Sequence, residues 1–232
     1  MGDPIQGEER IRNGDLQVFV NRVLIQLAIL LFAAPVMAGE PLTAVGFIAA
    51  LRGEVTLDRA SDIQEAALNT DIFADDRVQT GENGRVKIRF ADDSTVTMSP
   101  DSTLDVAEYL KSMEGTKGKS LLKMTIGRMR VVSGKNKLEV HTPTAVAATR
   151  GTEFFVIVSE VNGKMVTEIP CLDGALSVRN IDSGVKGEVV VNAGQVTQVG
   201  DMEAPTQPES ISRKRIQDFI ECRKSIMERM ED

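Results

Sequence analysis

Tryptophan is absent from the sequence, tyrosine and histidine each occur once, and aromatic residues make up only 4% of the chain. Ligand pockets depend heavily on aromatic side chains, so this composition argues against a carbohydrate-active enzyme, which would also need paired catalytic carboxylates. A zinc site is disfavoured because His141 is the only histidine and the two cysteines would need further ligands. The chain of 232 residues is still 42% hydrophobic, so its core must consist of Val, Ile, Leu, Met and Phe.

Acidic residues outnumber basic ones, 34 to 27, which gives a net charge of -7 and an isoelectric point near 5.0. Nucleic-acid-binding proteins usually display basic patches, so we expect no nucleic-acid partner. The sequence has no phosphate-binding glycine loop, dinucleotide fingerprint or nucleophile elbow. His141 is therefore interpreted as a structural or surface residue. These absences predict a protein without catalytic residues and without a cofactor.

Aspartates recur along the first half of the chain and raise the question of a metal site. They include Asp71, Asp75, Asp76, Asp92, Asp93, Asp101 and Asp105. Most stand at turns, where Asp bonds to the local backbone, and the D-x-D-x-D-G spacing of a calcium loop is missing. We therefore predict no metal-binding residue.

Two cysteines, Cys171 and Cys222, are separated by fifty residues of chain. They could form a disulfide if the protein is exported. They could equally remain two partly buried thiols, because Cys222 lies on a predicted tail helix that need not reach Cys171. Both interpretations stay open.

Residues 23–38, VLIQLAILLFAAPVMA, form an uncharged apolar run directly after Arg22. The run is short for a membrane span, which needs about 20 residues, and it ends in the small-residue pattern of a signal-peptidase site. We predict cleavage between Ala38 and Gly39, which makes the mature chain periplasmic or secreted. The alternative is an uncleaved signal anchor with a short cytoplasmic tail, and the membrane would then be contacted only through this N-terminal segment.

Between residues 39 and 200 the sequence shows short β-forming runs separated by Gly, Asp and Asn, and no helical period. This pattern predicts a mainly β fold, either a single β-sandwich or jelly roll or a short β-solenoid-like domain. Residues 59–70 are interpreted as a loop with a short strand at 66–68, and Asn83-Gly84 as a hairpin turn. The predicted strands outside the central stretch are 43–50, 53–57, 77–80, 85–90, 95–98, 102–109, 120–126, 128–132, 137–140, 165–169, 175–178, 188–191 and 195–199.

The stretch Leu138–Val158, LEVHTPTAVAATRGTEFFVIV, is predicted to be the structural centre of the domain. Phe155 and Ile157 alternate with apolar residues of the opposite face, so the strand there should be buried on both sides. Gly151 would allow the backbone to bend between two strands. The residues expected in the core are Val140, Val146, Phe154, Val156 and Val158.

After a linker at residues 201–209, residues 210–232 change to a helical period with charged residues between the apolar ones. The apolar positions are Ile216, Phe219, Ile220, Ile226, Met227 and Met230. This helix is expected either to cap the β domain or to dock on a partner. The predicted organisation is therefore a targeting segment at 1–38, a β domain at 39–200, the linker and this helix.

Several motifs of the predicted β domain follow the pattern of a known family. DRVQTG at residues 76–81 and VKIRFADDS at 86–94 resemble the pattern G-D-x-[IV]-x-T-G followed by [AV]-x-[IL]-x-F-x-D-G-S of the FecR domain family. HTPTAVAATRGTEF at 141–154 resembles TP-x-A-x-x-x-x-RGT-x-F, the most specific of these signatures. DGALSV at 173–178 and VNAGQ at 191–195 resemble the closing motifs. The resemblance assigns a structural role in the fold to Thr142, Pro143, Arg150, Gly151, Thr152 and Phe154.

Two departures from the family pattern occur at turns. Asp93 replaces the usual turn glycine, and Asp75-Asp76 stands where Gly-Asp is expected. Asp tolerates the left-handed backbone conformation better than most residues, so both turns should survive the replacement.

The resemblance implies a non-catalytic β domain exposed outside the cytoplasmic membrane, acting as a binding module on an unknown envelope protein or surface ligand. The best-known members regulate a sigma factor in iron-uptake signalling across the membrane. That role needs a cytoplasmic sigma-binding region, and only residues 1–22 precede the apolar run here. Three functions are carried forward: an exported binding module, a membrane-anchored regulator and, last, a carbohydrate-active enzyme.

Overall fold

The computed structural model describes residues 43–109, 119–134, 136–212 and 214–217, and these residues form a mainly β fold, as predicted. None of the described segments contains a helix with the length and hydropathy needed to cross a membrane. The strands are β1 Gly46–Arg52, β2 Val55–Arg59, β3 Asp62–Glu65, β4 Asp71–Ile72, β5 Arg77–Thr80, β6 Arg85–Phe90, β7 Thr95–Met98, β8 Ser102–Tyr109, β9 Lys119–Val132, β10 Lys137–His141, β11 Ala145–Thr149, β12 Glu153–Val161, β13 Lys164–Asp173, β14 Ala175–Asn180, β15 Glu188–Asn192, β16 Gln195–Gly200 and β17 Glu209–Ser210.

The strands form two open sheets that share the long strand β9. Sheet A has the order β4-β1-β6-β7-β9-β12-β13-β16-β17. Sheet B has the order β3-β2-β5-β8-β9-β10-β11-β14-β15. The β9–β10 pairing is parallel, whereas the other pairings described are antiparallel. Both sheets therefore have an N-terminal half and a C-terminal half on either side of β9.

Gly127 is the point at which β9 passes from sheet B to sheet A. Residues before it pair with β8 and β10, and residues after it pair with β7 and β12. Its φ of 102° is open to glycine and strained for other residues. The prediction of two strands separated at Gly127 was wrong, because this glycine bends a continuous 14-residue strand without ending it.

The inner faces of both sheets contribute to one apolar core. Phe154 and Val156 of β12 are fully buried there, and Val158 is 2% exposed. Phe155, on the opposite face, is 1% exposed, so β12 is buried on both sides as predicted. Val140 and Val146 are buried too, which confirms the core residues expected of the central stretch.

The first two strands of the chain belong to different sheets. β1 pairs with β4 and β6, and β2 pairs with β3 and β5. The short strand expected at 66–68 is absent, and β3 lies earlier in the chain.

The Asn83-Gly84 dipeptide does not form a hairpin turn. It connects β5 of sheet B to β6 of sheet A, and neither residue has a positive φ. Gly84 is required by close packing instead, because a Cβ at this position would lie 2.1 Å from the Glu54 carbonyl oxygen.

The two turn aspartates have the backbone conformation that the resemblance implied. Asp75 has a φ of 68° and Asp93 a φ of 66°, so each occupies a left-handed position where the family pattern has glycine. Among residues with side chains, Asp is one of the few that visit this region routinely.

The outer face of sheet A is partly covered by the C-terminal segment. Ile211 packs with Phe155 in a small apolar cluster outside the main core, and Ile216 packs against the same cluster. Ile216 lies in a helical turn at residues 214–217, so the beginning of the predicted tail helix caps the β domain. The targeting segment, most of the tail helix and Cys222 lie outside the described residues.

Candidate interaction surface

The Thr-Pro motif is built into the junction between the two sheets. Thr142 and Thr144 follow β10 of sheet B, and Thr167 lies on β13 of sheet A. The hydroxyl oxygen of Thr167 is 2.7 Å from that of Thr142 and 2.8 Å from that of Thr144. The Thr144 hydroxyl also donates to the Val199 carbonyl oxygen at 2.9 Å. These hydroxyls are buried and mutually bonded, so they hold the sheets together.

The Arg-Gly-Thr motif makes a second junction where β11 leads into β12. The Thr152 hydroxyl donates to the Ala175 carbonyl oxygen at 2.9 Å and contacts the Thr149 hydroxyl. The Thr152 amide donates to the Ser133 hydroxyl at 2.9 Å. Gly151 has a φ of 68°, which the predicted bend required.

The remaining motif residues divide between the interior and the surface. Phe154 is fully buried, whereas Pro143 and Arg150 are exposed in turns that connect strands. The motif is thus used largely inside the fold, and the structure does not bring its side chains together around a cleft.

The aspartates are also engaged in the fold. Asp76 is completely buried and accepts bonds from Arg59 at 2.8 Å through both carboxylate oxygens. Asp105 forms an ion pair with Arg77 on the outer face of sheet B. Within the described ranges no cluster of three metal-ligating residues occurs.

Cys171 is fully buried in the main core, and burial raises the pKa of its thiol to about 11, with Asp173 adding to the shift. We expect iodoacetamide to modify this thiol about 100-fold more slowly than an ordinary exposed thiol at pH 8, because the thiolate is the nucleophile. The measurement is the alkylation rate of Cys222→Ser by mass spectrometry, with the urea-unfolded protein as control. Equal rates in the folded and unfolded protein would contradict it.

The sign of the linked stability follows from the raised pKa. The folded state holds the thiol proton more tightly than the unfolded chain, whose thiol titrates near its ordinary value of 9.0. Stability should therefore be constant with respect to this group below pH 9 and should fall as the pH rises toward about 11. Whether Cys171 pairs with Cys222 stays a prediction.

The most distinctive surface is a set of basic side chains on the outer face of sheet A, here called the cationic face. The N-terminal half of the sheet places β6, β7 and β9 side by side. Outward positions alternate along each strand, so basic residues two apart lie on the same face. The members of the cationic face are Arg52, Arg85, Lys87, Arg89, Arg128 and Arg130.

Short polar side chains lie between two lines of long basic ones. Lys87 pairs with Thr97 across β6 and β7, and Thr97 pairs with Arg130 across β7 and β9. Thr97 is only 4% exposed although it is on the outer face. Its neighbours in this row, Lys87 and Arg130, are long enough to cover it, so the face carries short threonines on β7 between two rows of longer basic side chains.

Two of these cations are neutralised by nearby carboxylates. Arg89 pairs with Asp93 at 3.1 Å, and Arg130 pairs with Glu153 at 2.9 Å. No carboxylate of the described residues lies within 4.0 Å of the other four, which are Arg52, Arg85, Lys87 and Arg128. An acidic protein therefore carries a local concentration of uncompensated positive charge.

Part of this surface can be read from the sequence. Basic and apolar residues alternate in Arg85–Phe90, and the structure places the three basic residues outward. The contribution of Arg128 and Arg130 was missed because β9 joins the face only through β7. The overall charge of -7 pointed away from any basic patch.

Residues 76–177 match the family described as FecR protein. Two crystal structures, each of a candidate anti-sigma factor from Parabacteroides distasonis, are similar over 62% of this chain at 11% identity, with TM-scores of 0.48 and 0.49. The similarity covers 64% and 63% of those chains, less than two thirds of their length. No curated protein matches the chain.

The family match begins at the buried Asp76, includes both threonine junctions and ends in β14. It also contains β6, β7 and β9, which form most of the cationic face. The match confirms the resemblance to the FecR domain family, and it covers residues 76–177.

Proposed function

We propose that this protein is an exported, non-enzymatic FecR-domain module that binds another component of the cell envelope and takes part in signalling. The proposal rests on which polar residues are bonded inside the fold and which are exposed on its surface. The motif threonines and Asp76 are occupied inside the fold, whereas the cationic face presents charge to the outside.

The location outside the cytoplasmic membrane is supported by the sequence of residues 23–39 and by the FecR family match. The best-known proteins that this domain resembles are regulators, and this favours a role in signalling over an enzymatic role. Fold alone does not set function, so the exposed surface has to be tested directly.

A membrane-anchored regulator of a sigma factor is the second candidate, favoured by the same family match. It requires that residues 1–38 stay attached and that the partner lie in the cytoplasm. A carbohydrate-active enzyme is third, and its candidate acids are Asp76, Asp92 and Asp93. Asp76 is bound to Arg59, and Asp92 bonds the Ser94 amide at 2.9 Å, which leaves these two carboxylates in structural roles.

The test combines the mass of the protein with cross-linking in its native host. We expect the protein released from the envelope to begin at Gly39, and a photo-cross-linking residue to give a discrete adduct from at least one outer face. Suitable exposed or half-exposed positions are Thr95 on sheet A, Val190 on sheet B and Arg150 in the β11–β12 turn. Samples kept in the dark are the control.

The outcomes separate the candidates. A mass that still includes residues 1–38 would overturn export as a cleaved module and favour the anchored regulator. No adduct from any position would overturn binding as the function. An activity on envelope polysaccharide that disappears in Asp93→Asn would overturn the non-enzymatic proposal.

A further inference from the structure

We propose that the cationic face binds an extended acidic segment of a partner protein, with acidic side chains at alternate positions. The proposal deepens the proposed function, on which it rests, by naming the chemistry of the partner. The occupant is identified by charge, by spacing and by what borders the face.

The spacing of the basic residues matches that of an extended chain. Arg85, Lys87 and Arg89 follow one another at every second position of β6, and Arg128 and Arg130 do so on β9. Alternate residues of a strand are about 7 Å apart, and strands separated by one neighbour are about 10 Å apart. An extended segment above β7 therefore presents alternate carboxylates at the same interval as the basic residues on either side.

The basic side chains of the cationic face are suited to binding carboxylates. Five of the six members are arginines, whose planar guanidinium can hold a carboxylate through two parallel bonds. Four members have no carboxylate within salt-bridge distance among the described residues, so their donors are available to a partner. Thr95 adds a half-exposed hydroxyl between the two rows of basic side chains.

The border of the face favours a narrow segment over a broad anionic surface. Asp71 lies beyond β1 on one side, and Glu153 lies on β12 on the other. Asp93 stands at one end of β6, and Glu54 and Glu82 lie in the turns near the other end. Asp93 and Glu153 are paired with arginines of the face, but a membrane or a nucleic acid would still bring phosphates against Asp71, Glu54 and Glu82. A single strand can lie between these three carboxylates.

The experiment measures binding of a fluorescent peptide of alternating Glu and Thr, about ten residues long so that it covers β6. The comparison peptide has the same composition with all Glu in one block. The mature chain, residues 39–232, is used, with fluorescence anisotropy at low salt. We expect the alternating peptide to bind at least about tenfold more tightly than the block peptide, and both to weaken with salt.

The matched variants reverse three charges on different faces. Arg85→Glu, Lys87→Glu and Arg128→Glu together should weaken binding of the alternating peptide by about tenfold or more. The control combines Lys123→Glu, Arg179→Glu and Lys186→Glu, which are exposed and lie on sheet B or in its β14–β15 loop. It should leave binding within about twofold. Far-UV circular dichroism checks that both proteins are folded.

Several results would overturn the proposal. Equal affinity for the two peptides would show that the spacing of the acidic residues does not matter. Equal loss of peptide affinity in the two triple variants would show that binding does not occur at the cationic face. Binding to vesicles of anionic phospholipid without binding to the peptide would assign the face to a membrane. If cross-linked adducts from the native host persist in the Arg85-Lys87-Arg128 variant, the cationic face fails while the proposed function stands.

Discussion

Replacement of Gly127 by Ala should lower the free energy of unfolding by about 3 kcal/mol or more. A Cβ at Gly127 would lie 2.2 Å from the Ser102 hydroxyl oxygen, 2.6 Å from the Ser102 Cα and 2.7 Å from the Asp101 carbonyl oxygen. Two of these atoms belong to the backbone, so the clash cannot be relieved by rotating one side chain. The φ of 102° adds strain for any residue with a Cβ.

The control for this substitution is Gly163→Ala. Gly163 has a φ of 76°, but nothing lies within 4 Å of the position that a Cβ would take. It should therefore show the backbone cost alone, about 1–2 kcal/mol. Urea denaturation of the mature protein measures both variants. Similar losses at the two positions would show that the crossing of β9 between the sheets is not tightly packed.

Replacement of Asp76 by Ala should cost about 3 kcal/mol, because it removes the buried partner of a charged guanidinium. The Asp76 carboxylate is fully buried and also accepts a 2.8 Å bond from the Phe73 amide. Arg59, 31% exposed in its side chain, lies 4.3 Å above the Phe73 ring and donates to the Asp71 carbonyl oxygen. The hydrogen bond to Asp76 raises the pKa of Arg59, so the guanidinium stays charged throughout the ordinary pH range.

Asp105→Ala provides the matched comparison. The Arg77–Asp105 pair has the same chemistry, but its side chains are 49% and 24% exposed. Exposed pairs contribute about 0–1 kcal/mol, so this variant should lose far less stability than Asp76→Ala. Thermal unfolding followed by circular dichroism gives both values. A larger loss from Asp105→Ala would refute the importance of burial at Asp76.

The residues show why some of the fold could be predicted and some could not. The bounds of β6 were predicted correctly because one face of the strand is buried, so apolar and basic residues alternate strictly along it. The amino-acid pattern of a strand does not indicate to which of the two sheets the strand belongs. Asn83-Gly84 was therefore interpreted as a hairpin, although the requirement on Gly84 comes from the distant Glu54 backbone.

The same distinction applies to the candidate surface. The basic residues of β6 are visible in the sequence as a repeating pattern. Arg128 and Arg130 become part of the surface only when β7 is placed between β6 and β9, which β7 and β8 separate in the chain. The resemblance implied a structural role for the motif threonines, whereas their hydrogen bonds across the two sheets could be identified only from the structure.

Because β9 belongs to both sheets, the stability of the N-terminal half of the domain depends on that of the C-terminal half. If β1–β8 detached, β9 would lose β7 and β8 together, and the inner face of β12 would meet water through the gap. The halves should consequently melt in a single cooperative transition, without a stable half-folded form.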